Sequence, residues 1–214
     1  MVVNFPHNPT GGQPTQADMI ALIDACRSNG TYIFSDEMYR YLSYDGVPVL
    51  TSVADDYERG VSLFGLSKTF SLPGLRIGWL ATRDAELLAR LAQFKDYTTI
   101  CASAPSEILA IMAIRDSNWI IERNIEIITG NIAAFDDFVG VHADRVRWTR
   151  PRAGSVAFPE LLGGRVDELA RVAVEDHELM ILPASVYNYP HNNFRVGLGR
   201  KDFPEALDIL GGLL

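Results

Sequence analysis

The chain has 214 residues, 48% of them hydrophobic, and a formal net charge of −8. This length and apolar fraction suffice for one large domain or two small ones and argue against a disordered chain. The absence of any lysine or arginine run argues against nucleic-acid binding. No segment approaches the roughly 18 apolar residues that a membrane span needs, and MVVNFPHNPTGG has no signal-peptide pattern.

The two cysteines and four histidines are scattered along the chain. Neither Cys26 nor Cys101 belongs to a CxxC pair, which argues against a zinc site or a disulfide framework. Cys26 falls on the apolar face of a predicted helix and is interpreted as a small buried hydrophobe. We therefore expect a cytoplasmic protein without a metal site.

Four short apolar segments in the first half of the chain are predicted to be strands: 1–5, 31–36, 61–67 and 76–82. Their almost continuous apolarity is typical of a parallel sheet buried on both faces. A helix over about 15–29 separates the first two strands, because Thr15 can cap it and Gly30 can end it. This strand–helix–strand order predicts an α/β fold with right-handed crossovers.

Further helices are predicted over 84–97, 105–114 and 117–139, and the strongly apolar segment 105–114 is expected to be buried. After Gly140 the pattern changes to short strand candidates, at 146–151, 155–160, 179–184 and 194–199, with helices near 166–177 and 203–214. We therefore predict two domains. A mostly parallel sheet with helices occupies 1–116, and a linker helix with a small α+β domain occupies 117–214.

Polar residues stand at or just after the ends of three consecutive predicted strands. The motif HNPTGG contains Asn8, SDEMY contains Asp36 and Tyr39, and LSK contains Lys68. Because ligands of open α/β sheets bind beyond the carboxyl ends of the strands, these side chains are expected to meet at one edge.

The types of group at this edge favour pyridoxal 5′-phosphate (PLP) over other common cofactors. A lysine amine can form a Schiff base with an aldehyde, and a carboxylate can keep a pyridine nitrogen protonated. A guanidinium, such as that of Arg76, suits a phosphate. Taken singly, the residues also have plain structural interpretations: a strand cap for Asp36, a core aromatic for Tyr39, a turn residue for Asn8. Lys68 is the exception, since a lone lysine ending a buried strand is costly unless it is used.

Four motifs in order, NPTG, SDEMY, SKTFSLPGLRIGW and FRVGLGR, resemble those of the fold-type I, class I/II aminotransferases over nearly the whole chain. The resemblance implies that Lys68 holds the cofactor and moves the substrate proton. It implies that Asp36 pairs with the pyridine nitrogen.

The same resemblance assigns the remaining contacts. Tyr39 and Asn8 would hydrogen-bond the ring phenolate oxygen, and Ser67 and Arg76 would hold the phosphate. Arg195, in the second domain, would clamp the substrate α-carboxylate. The Asn8–Pro9 peptide bond is a candidate for the cis form.

Two departures from the family pattern stand out. Gly65 occupies the position where many relatives carry a phosphate-binding serine. Family members are also roughly twice as long, so the resemblance implies that the N-terminal half is missing here. The four strands would then be neighbours in the sheet, with the last antiparallel and the outer two forming exposed apolar edges.

The expected activity is amino-group transfer between an amino acid and a 2-oxo acid, by a homodimer in the full-length form. Other PLP chemistries on the same scaffold stay open: a β-lyase, a cyclase or a racemase-like enzyme. A non-catalytic remnant is the alternative from a different class.

Overall fold

The structure, a computed structural model, describes residues 1–214. The elements of the first half are β1 (Val2–Asn4), α1 (Gln16–Ser28), β2 (Ile33–Asp36), α2 (Val53–Asp56), β3 (Gly60–Gly65), β4 (Gly78–Thr82), α3 (Ala85–Thr98) and α4 (Ala104–Arg115). The second half has α5 (Ser117–Val141), β5 (Val146–Arg147), β6 (Val156–Ala157), β7 (Glu160–Leu161), α6 (Val166–His177), β8 (Leu182–Pro183), β9 (Phe194–Gly197) and α7 (Phe203–Leu213). Short 3-10 turns span Pro73–Leu75 and Ala184–Tyr187.

The four N-terminal strands form one sheet in the order β1-β2-β3-β4. The pairs β1–β2 and β2–β3 are parallel, and β4 runs antiparallel to β3. Asn4 lies opposite Asp36, which lies opposite Leu63. The predicted α/β arrangement of four neighbouring strands is therefore confirmed, and the ends of β1, β2 and β3 lie side by side.

Helix α1 begins as the sequence predicts. The Asp18 amide donates to the Thr15 hydroxyl at 3.2 Å, while the Thr15 amide donates to the Asp18 carboxylate at 2.9 Å. This reciprocal capping box satisfies two amides that the first helical turn leaves unpaired. The apolar face of α1, Cys26 included, packs with residues of β2 and α2 in a buried cluster: Met19, Ile23, Cys26, Ile33, Val53 and Tyr57.

The C-terminal elements surround the largest core, a cluster of 19 buried residues. A two-stranded sheet, β5-β7, and a three-stranded sheet, β6-β9-β8, pack with α5, α6 and α7. Tyr39, Leu42 and Tyr44, which follow β2, belong to this same cluster. The site loop after β2 is therefore anchored in the C-terminal core; the domain boundary at residue 116 stays a prediction.

The strands of the C-terminal part are shorter than the sequence suggests. The predicted strand 155–160 is divided, because β6 pairs with β9 whereas β7 pairs with β5 in a different sheet. Pro159 separates the two pieces and has no amide hydrogen to donate to a strand ladder.

The expectation that the helix at 105–114 is buried is wrong. Only Ala110 and Ala113 of α4 are buried, whereas five large side chains are exposed: Ile108, Leu109, Ile111, Met112 and Ile114. The two alanines lie one turn apart and join the small cluster around Phe64 and Leu66. The remaining faces of α4 are exposed.

The sheet also has exposed apolar edges, as the resemblance implies. Val2 of β1 is 74% exposed and Leu80 of β4 is 36% exposed. Trp79 of β4 is 39% exposed and packs edge-on against Phe64. None of the helices combines the length and the apolarity that crossing a membrane requires.

Candidate active site

Lys68 lies in a tight turn directly after β3. The turn is closed by backbone hydrogen bonds from Leu66 to the Ile77 carbonyl at 3.1 Å and from Ser71 to the Lys68 carbonyl at 3.0 Å. Leu66 is fully buried and fixes the start of the turn, but the Lys68 side chain is exposed. The interpretation of Lys68 as a buried lysine is therefore wrong, because the turn carries it out of the sheet.

An open cavity of about 400 Å³ lies beside this turn. Four of the predicted site residues line it: Tyr39, Ser67, Lys68 and Arg195. The Lys68 Nζ atom is 5.9 Å from the centre of the Tyr39 ring, within the range of a cation–π contact. Residues that are 127 positions apart in sequence, Lys68 and Arg195, thus face one cavity, hereafter the site cavity.

Asn8 and Asp36 are not among the residues that line the site cavity. Arg195 donates from Nη1 to the Asn8 side-chain oxygen at 3.1 Å. Asp36 accepts the Met38 amide at 3.1 Å, and its carbonyl accepts the Asn4 side-chain amide at 3.0 Å. Since Asn4 also accepts the Asn8 amide at 2.8 Å, it ties the end of β2 to the NPTG turn.

The NPTG turn is held against the C-terminal part of the chain. Its Asn8–Pro9 bond is cis, as the resemblance implies. Gly11 has a φ of +65°, and its carbonyl accepts the amides of Arg152 at 2.9 Å and Ala153 at 3.1 Å. A Cβ atom on Gly11 would lie 2.4 Å from the Pro151 side chain, so this close approach requires glycine.

The electrostatic surroundings of Tyr39 keep its phenol protonated. Burial raises the pKa of Tyr39 above its ordinary value, Arg195 opposes this change, and Asp36 adds to it. The residue is 5% exposed and lines the site cavity. A buried phenol of this kind can donate a hydrogen bond at neutral pH.

The structure does not place Arg76 among the residues that line the site cavity. Arg76 is exposed, has a left-handed φ of 54°, and donates from Nη1 to the Pro73 carbonyl at 2.8 Å. Pro73 itself lines the site cavity, so the Arg76 guanidinium contacts a residue of the cavity wall without lining the cavity itself. At Gly65, an added Cβ would lie 2.9 Å from the Ile77 carbonyl oxygen, which leaves no room for the serine of many relatives.

Three buried polar residues support the site and were not singled out from the sequence: Glu37, Thr69 and Asn124. Asn124 lines the site cavity and donates to the Thr69 carbonyl at 2.8 Å. The sequence held a signal for Asn124 and Asn131, because two amides seven positions apart interrupt the apolar stripe of α5.

The sequence profile of aminotransferase class I and II matches residues 1–208, and the chain belongs to this family. Its fold is part of that of the fold-type I aminotransferases. A PLP-dependent aminotransferase from Streptococcus suis matches with a TM-score of 0.91 and 28% identity, over 100% of this chain and 56% of that one. The PLP-dependent cyclase OrfR matches with a TM-score of 0.89 and 31% identity, over 100% and 58%.

Sequence similarity to curated proteins supports the same family. Capreomycidine synthase from Streptomyces vinaceus is 27% identical over 198 residues, covering 92% of this chain and 50% of the relative. Aspartate aminotransferase from Bacillus subtilis is 25% identical over 221 residues, covering 98% and 54%. The chain thus spans about half the length of these relatives.

Proposed function

We propose that the whole protein is a PLP-dependent aminotransferase that moves an amino group between an amino acid and a 2-oxo acid. The observation that carries this proposal is the meeting of Lys68, Tyr39 and Arg195 at one cavity in a chain of the class I and II family. These three residues come from different parts of the fold, so the regular spacing of side chains along one helix or strand does not explain why they face the same cavity.

The residues at the site cavity fit PLP chemically. The Lys68 amine, the Ser67 hydroxyl and the Tyr39 hydroxyl all face the cavity and donate no hydrogen bond within the chain. When bound, PLP supplies an electron sink for charge that develops at the substrate Cα atom. The amine, phenol and hydroxyl donors match its aldehyde, ring oxygen and phosphate.

The chain's own residues then have separate tasks. Lys68 would hold the cofactor covalently before the substrate binds, and its amine, once displaced by the substrate amine, would accept the proton that leaves the substrate Cα atom. Asp36 would keep the pyridine nitrogen protonated, and Tyr39 with Asn8 would orient the ring through its oxygen. Arg195 binds the substrate α-carboxylate, since a guanidinium can form two parallel hydrogen bonds with a carboxylate.

The phosphate is assigned to Ser67 and Arg76. Ser67 already faces the site cavity. Arg76 would exchange its contact with the Pro73 carbonyl for a phosphate oxygen, a stronger charge-assisted hydrogen bond. Gly65 contributes no side chain to this contact.

A second candidate function is amino-acid cyclisation. It is favoured by one observation: OrfR, which matches 100% of this chain at 31% identity, is named as a PLP-dependent cyclase. Cyclisation also needs a base that removes the Cα proton, so the same Lys68 serves both reactions. The two functions differ in whether a 2-oxo acid acceptor is consumed.

Homodimerisation of the full-length protein, which the family resemblance implies, and a cytoplasmic location, which the scattered cysteines favour, are part of the proposal. Sedimentation at several concentrations tests the first, and localisation of a tagged full-length protein tests the second.

The test of function begins with the absorption spectrum of the purified chain mixed with PLP. The proposal expects a visible band of lysine-bound PLP that is lost in Lys68→Ala and kept in Lys95→Ala, whose lysine lies on α3. A folded chain without this band would count against an intact site. Amino transfer is then assayed with and without a 2-oxo acid; product formed equally without an acceptor would favour the cyclase.

A further inference from the structure

Glu37 is a buried carboxylate that none of the roles above uses. It follows Asp36 directly, and only 6% of the residue is exposed. Its Oε1 atom accepts the Ser62 hydroxyl at 2.7 Å, the Val53 amide at 3.0 Å and the Ser52 hydroxyl at 3.3 Å. Because a buried carboxylate is costly unless it is paired and hydrogen-bonded, such complete satisfaction indicates a constrained position.

The contacts of Glu37 fix both ends of the turn that carries Tyr39. The Glu37 amide donates to the Leu63 carbonyl of β3 at 2.9 Å, and its carbonyl accepts the Arg40 amide at 2.8 Å. Its Oε2 atom pairs with Arg40 Nη1 at 3.3 Å. Tyr39 therefore lies between two residues that are joined to each other, and one of them, Glu37, is also joined to β3.

Thr69 joins this turn to Lys68. Its fully buried hydroxyl donates to the Arg40 carbonyl at 2.6 Å and lies 3.2 Å from the Met38 carbonyl. Its own carbonyl accepts the Asn124 side chain of α5 at 2.8 Å. The residue next to Lys68 is thus bonded on one side to the Tyr39 turn and on the other to the long helix.

We propose that Glu37 and Thr69 are positioning residues that together hold the Tyr39 ring against Lys68. Neither lines the site cavity, so both act through the residues that do. Glu37 fixes the turn to β3, and Thr69 fixes the lysine loop to the turn. This inference takes the roles of Tyr39 and Lys68 from the proposed function, but its geometric content is tested without PLP.

The test uses the short distance between Lys68 and the Tyr39 ring. The chain has lysines at 68, 95 and 201, and reductive methylation with ¹³C-formaldehyde labels each amine while keeping its charge. An aromatic ring 5.9 Å from Nζ displaces the NMR signal of the Lys68 methyl groups by its ring current. Lys68→Arg assigns the signal, and Tyr39→Leu measures its position without the ring.

The proposal expects Thr69→Val, which removes the hydroxyl but keeps the shape, to lose most of the Tyr39-dependent shift. Thr69→Ser, which restores the hydroxyl, should recover it. Glu37→Met should lose the shift, and Glu37→Gln should recover part of it, because an amide oxygen can still accept from Ser62 but cannot pair with Arg40.

Two controls separate positioning from general loss of stability. Val166→Ala weakens the C-terminal core, where Val166 is 3% exposed, and should leave the shift unchanged. Glu58→Gln removes an exposed carboxylate and should also leave it unchanged. If Glu37→Met does not fold, the comparison of Thr69→Val with Thr69→Ser decides whether the proposal holds. An unchanged shift in folded Thr69→Val, or an equal loss in Val166→Ala, would overturn the proposal. Failure to bind PLP would instead count against the proposed function.

Discussion

Arg195 on β9 and Asn8 in the loop after β1 are joined by a hydrogen bond of 3.1 Å between residues 187 positions apart. The contact occupies one nitrogen of the guanidinium and directs the group toward the site cavity, which Arg195 lines. Because Asn8 is neutral, it orients the cation without cancelling its charge. The guanidinium therefore stays available for an anionic ligand.

Asn8→Asp should weaken the binding of carboxylate ligands. The new carboxylate would form an ion pair with Arg195 and compete with the ligand, and we expect an affinity loss of about tenfold, or ~1.4 kcal/mol. Isothermal titration with pyruvate measures the change. Asn29→Asp adds the same charge on the exposed end of α1 and should leave the affinity unchanged; equal losses in both variants would contradict this role of Asn8.

Tyr39 should ionise only at alkaline pH, because its burial raises its pKa. Spectrophotometric titration of the wild type and Tyr39→Phe isolates its phenolate band. Replacing Arg195 by Met should raise the pKa of Tyr39 further, and Asp36→Asn should lower it, since these residues act in opposite directions. A band that moves the opposite way in either variant would contradict the assigned electrostatic coupling.

The same shift makes stability depend on pH. The folded pKa of Tyr39 lies above the unfolded value of about 10, so the contribution is fully present below that value. It is lost as the pH rises through the folded pKa. Urea unfolding between neutral and alkaline pH should therefore show a smaller decrease in stability for Tyr39→Phe than for the wild type.

Local patterns were enough to predict α1 and the strands of the N-terminal sheet. The Thr15 cap, the apolar stripe and the Gly30 stop are contained in consecutive residues, and hydrophobic periodicity reads such signals well. The convergence of strand ends also gave Tyr39 and Lys68, which line the site cavity, but it gave Asn8 and Asp36 as well, which do not. The contacts that each of these side chains makes were harder to predict from the sequence.

The errors arose where packing between distant segments decides the outcome. An apolar helix such as α4 is predicted to be buried, but its exposure depends on which other elements are present to cover it. The sequence around Glu37 shows a charged pair, and nothing local reveals that Ser52 and Ser62 converge on it. The left-handed backbone at Arg76 directs its side chain to Pro73, and hydrophobic periodicity in the sequence does not predict such a backbone conformation.

The exposed face of α4 should make the chain bind hydrophobic dyes and associate at high concentration. Ile108 is 62% exposed and Met112 is 55% exposed, one turn apart. The double variant Ile108→Lys, Met112→Lys should reduce 8-anilinonaphthalene sulfonate fluorescence and lower the apparent mass in light scattering. The control Arg171→Ala, Glu175→Ala, on the exposed face of α6, should change neither. Unchanged dye binding in the α4 variant would place the exposed apolar surface elsewhere.

Gly65 and Gly130 provide a matched test of close packing in the sheet. A Cβ atom on Gly65 would lie 2.9 Å from the Ile77 carbonyl oxygen and 3.0 Å from the Gly78 Cα, whereas Gly130 on α5 has no such neighbour within 4 Å. Gly65→Ala should lower the free energy of unfolding by about 1–3 kcal/mol through overpacking. Gly130→Ala should raise it by about 0.5–1 kcal/mol, because alanine favours helices. Urea unfolding measures both, and equal effects would show that the β3–β4 pair adapts freely.

Tyr44 and Tyr57 are two buried tyrosines whose hydroxyl groups differ in whether they form a hydrogen bond. The Tyr57 hydroxyl donates to the Thr31 carbonyl at 2.9 Å, and the Tyr44 hydroxyl is buried without a hydrogen-bond partner. Removing a satisfied hydroxyl leaves an unpaired carbonyl, so Tyr57→Phe should lower the free energy of unfolding by about 1 kcal/mol. Tyr44→Phe removes a group that loses its hydration on folding, and should raise the free energy of unfolding by a similar amount.

Thermal and urea unfolding at neutral pH compare the two variants directly, since the same oxygen atom is removed from the same residue type. The comparison extends to alkaline pH, because burial also raises the pKa of Tyr44. Wild-type stability should therefore fall as the pH rises above the unfolded value of about 10, and Tyr44→Phe should lack part of this fall. If Tyr44→Phe instead destabilises the chain as much as Tyr57→Phe does, its hydroxyl must have a hydrogen-bond partner, such as an ordered water, in solution.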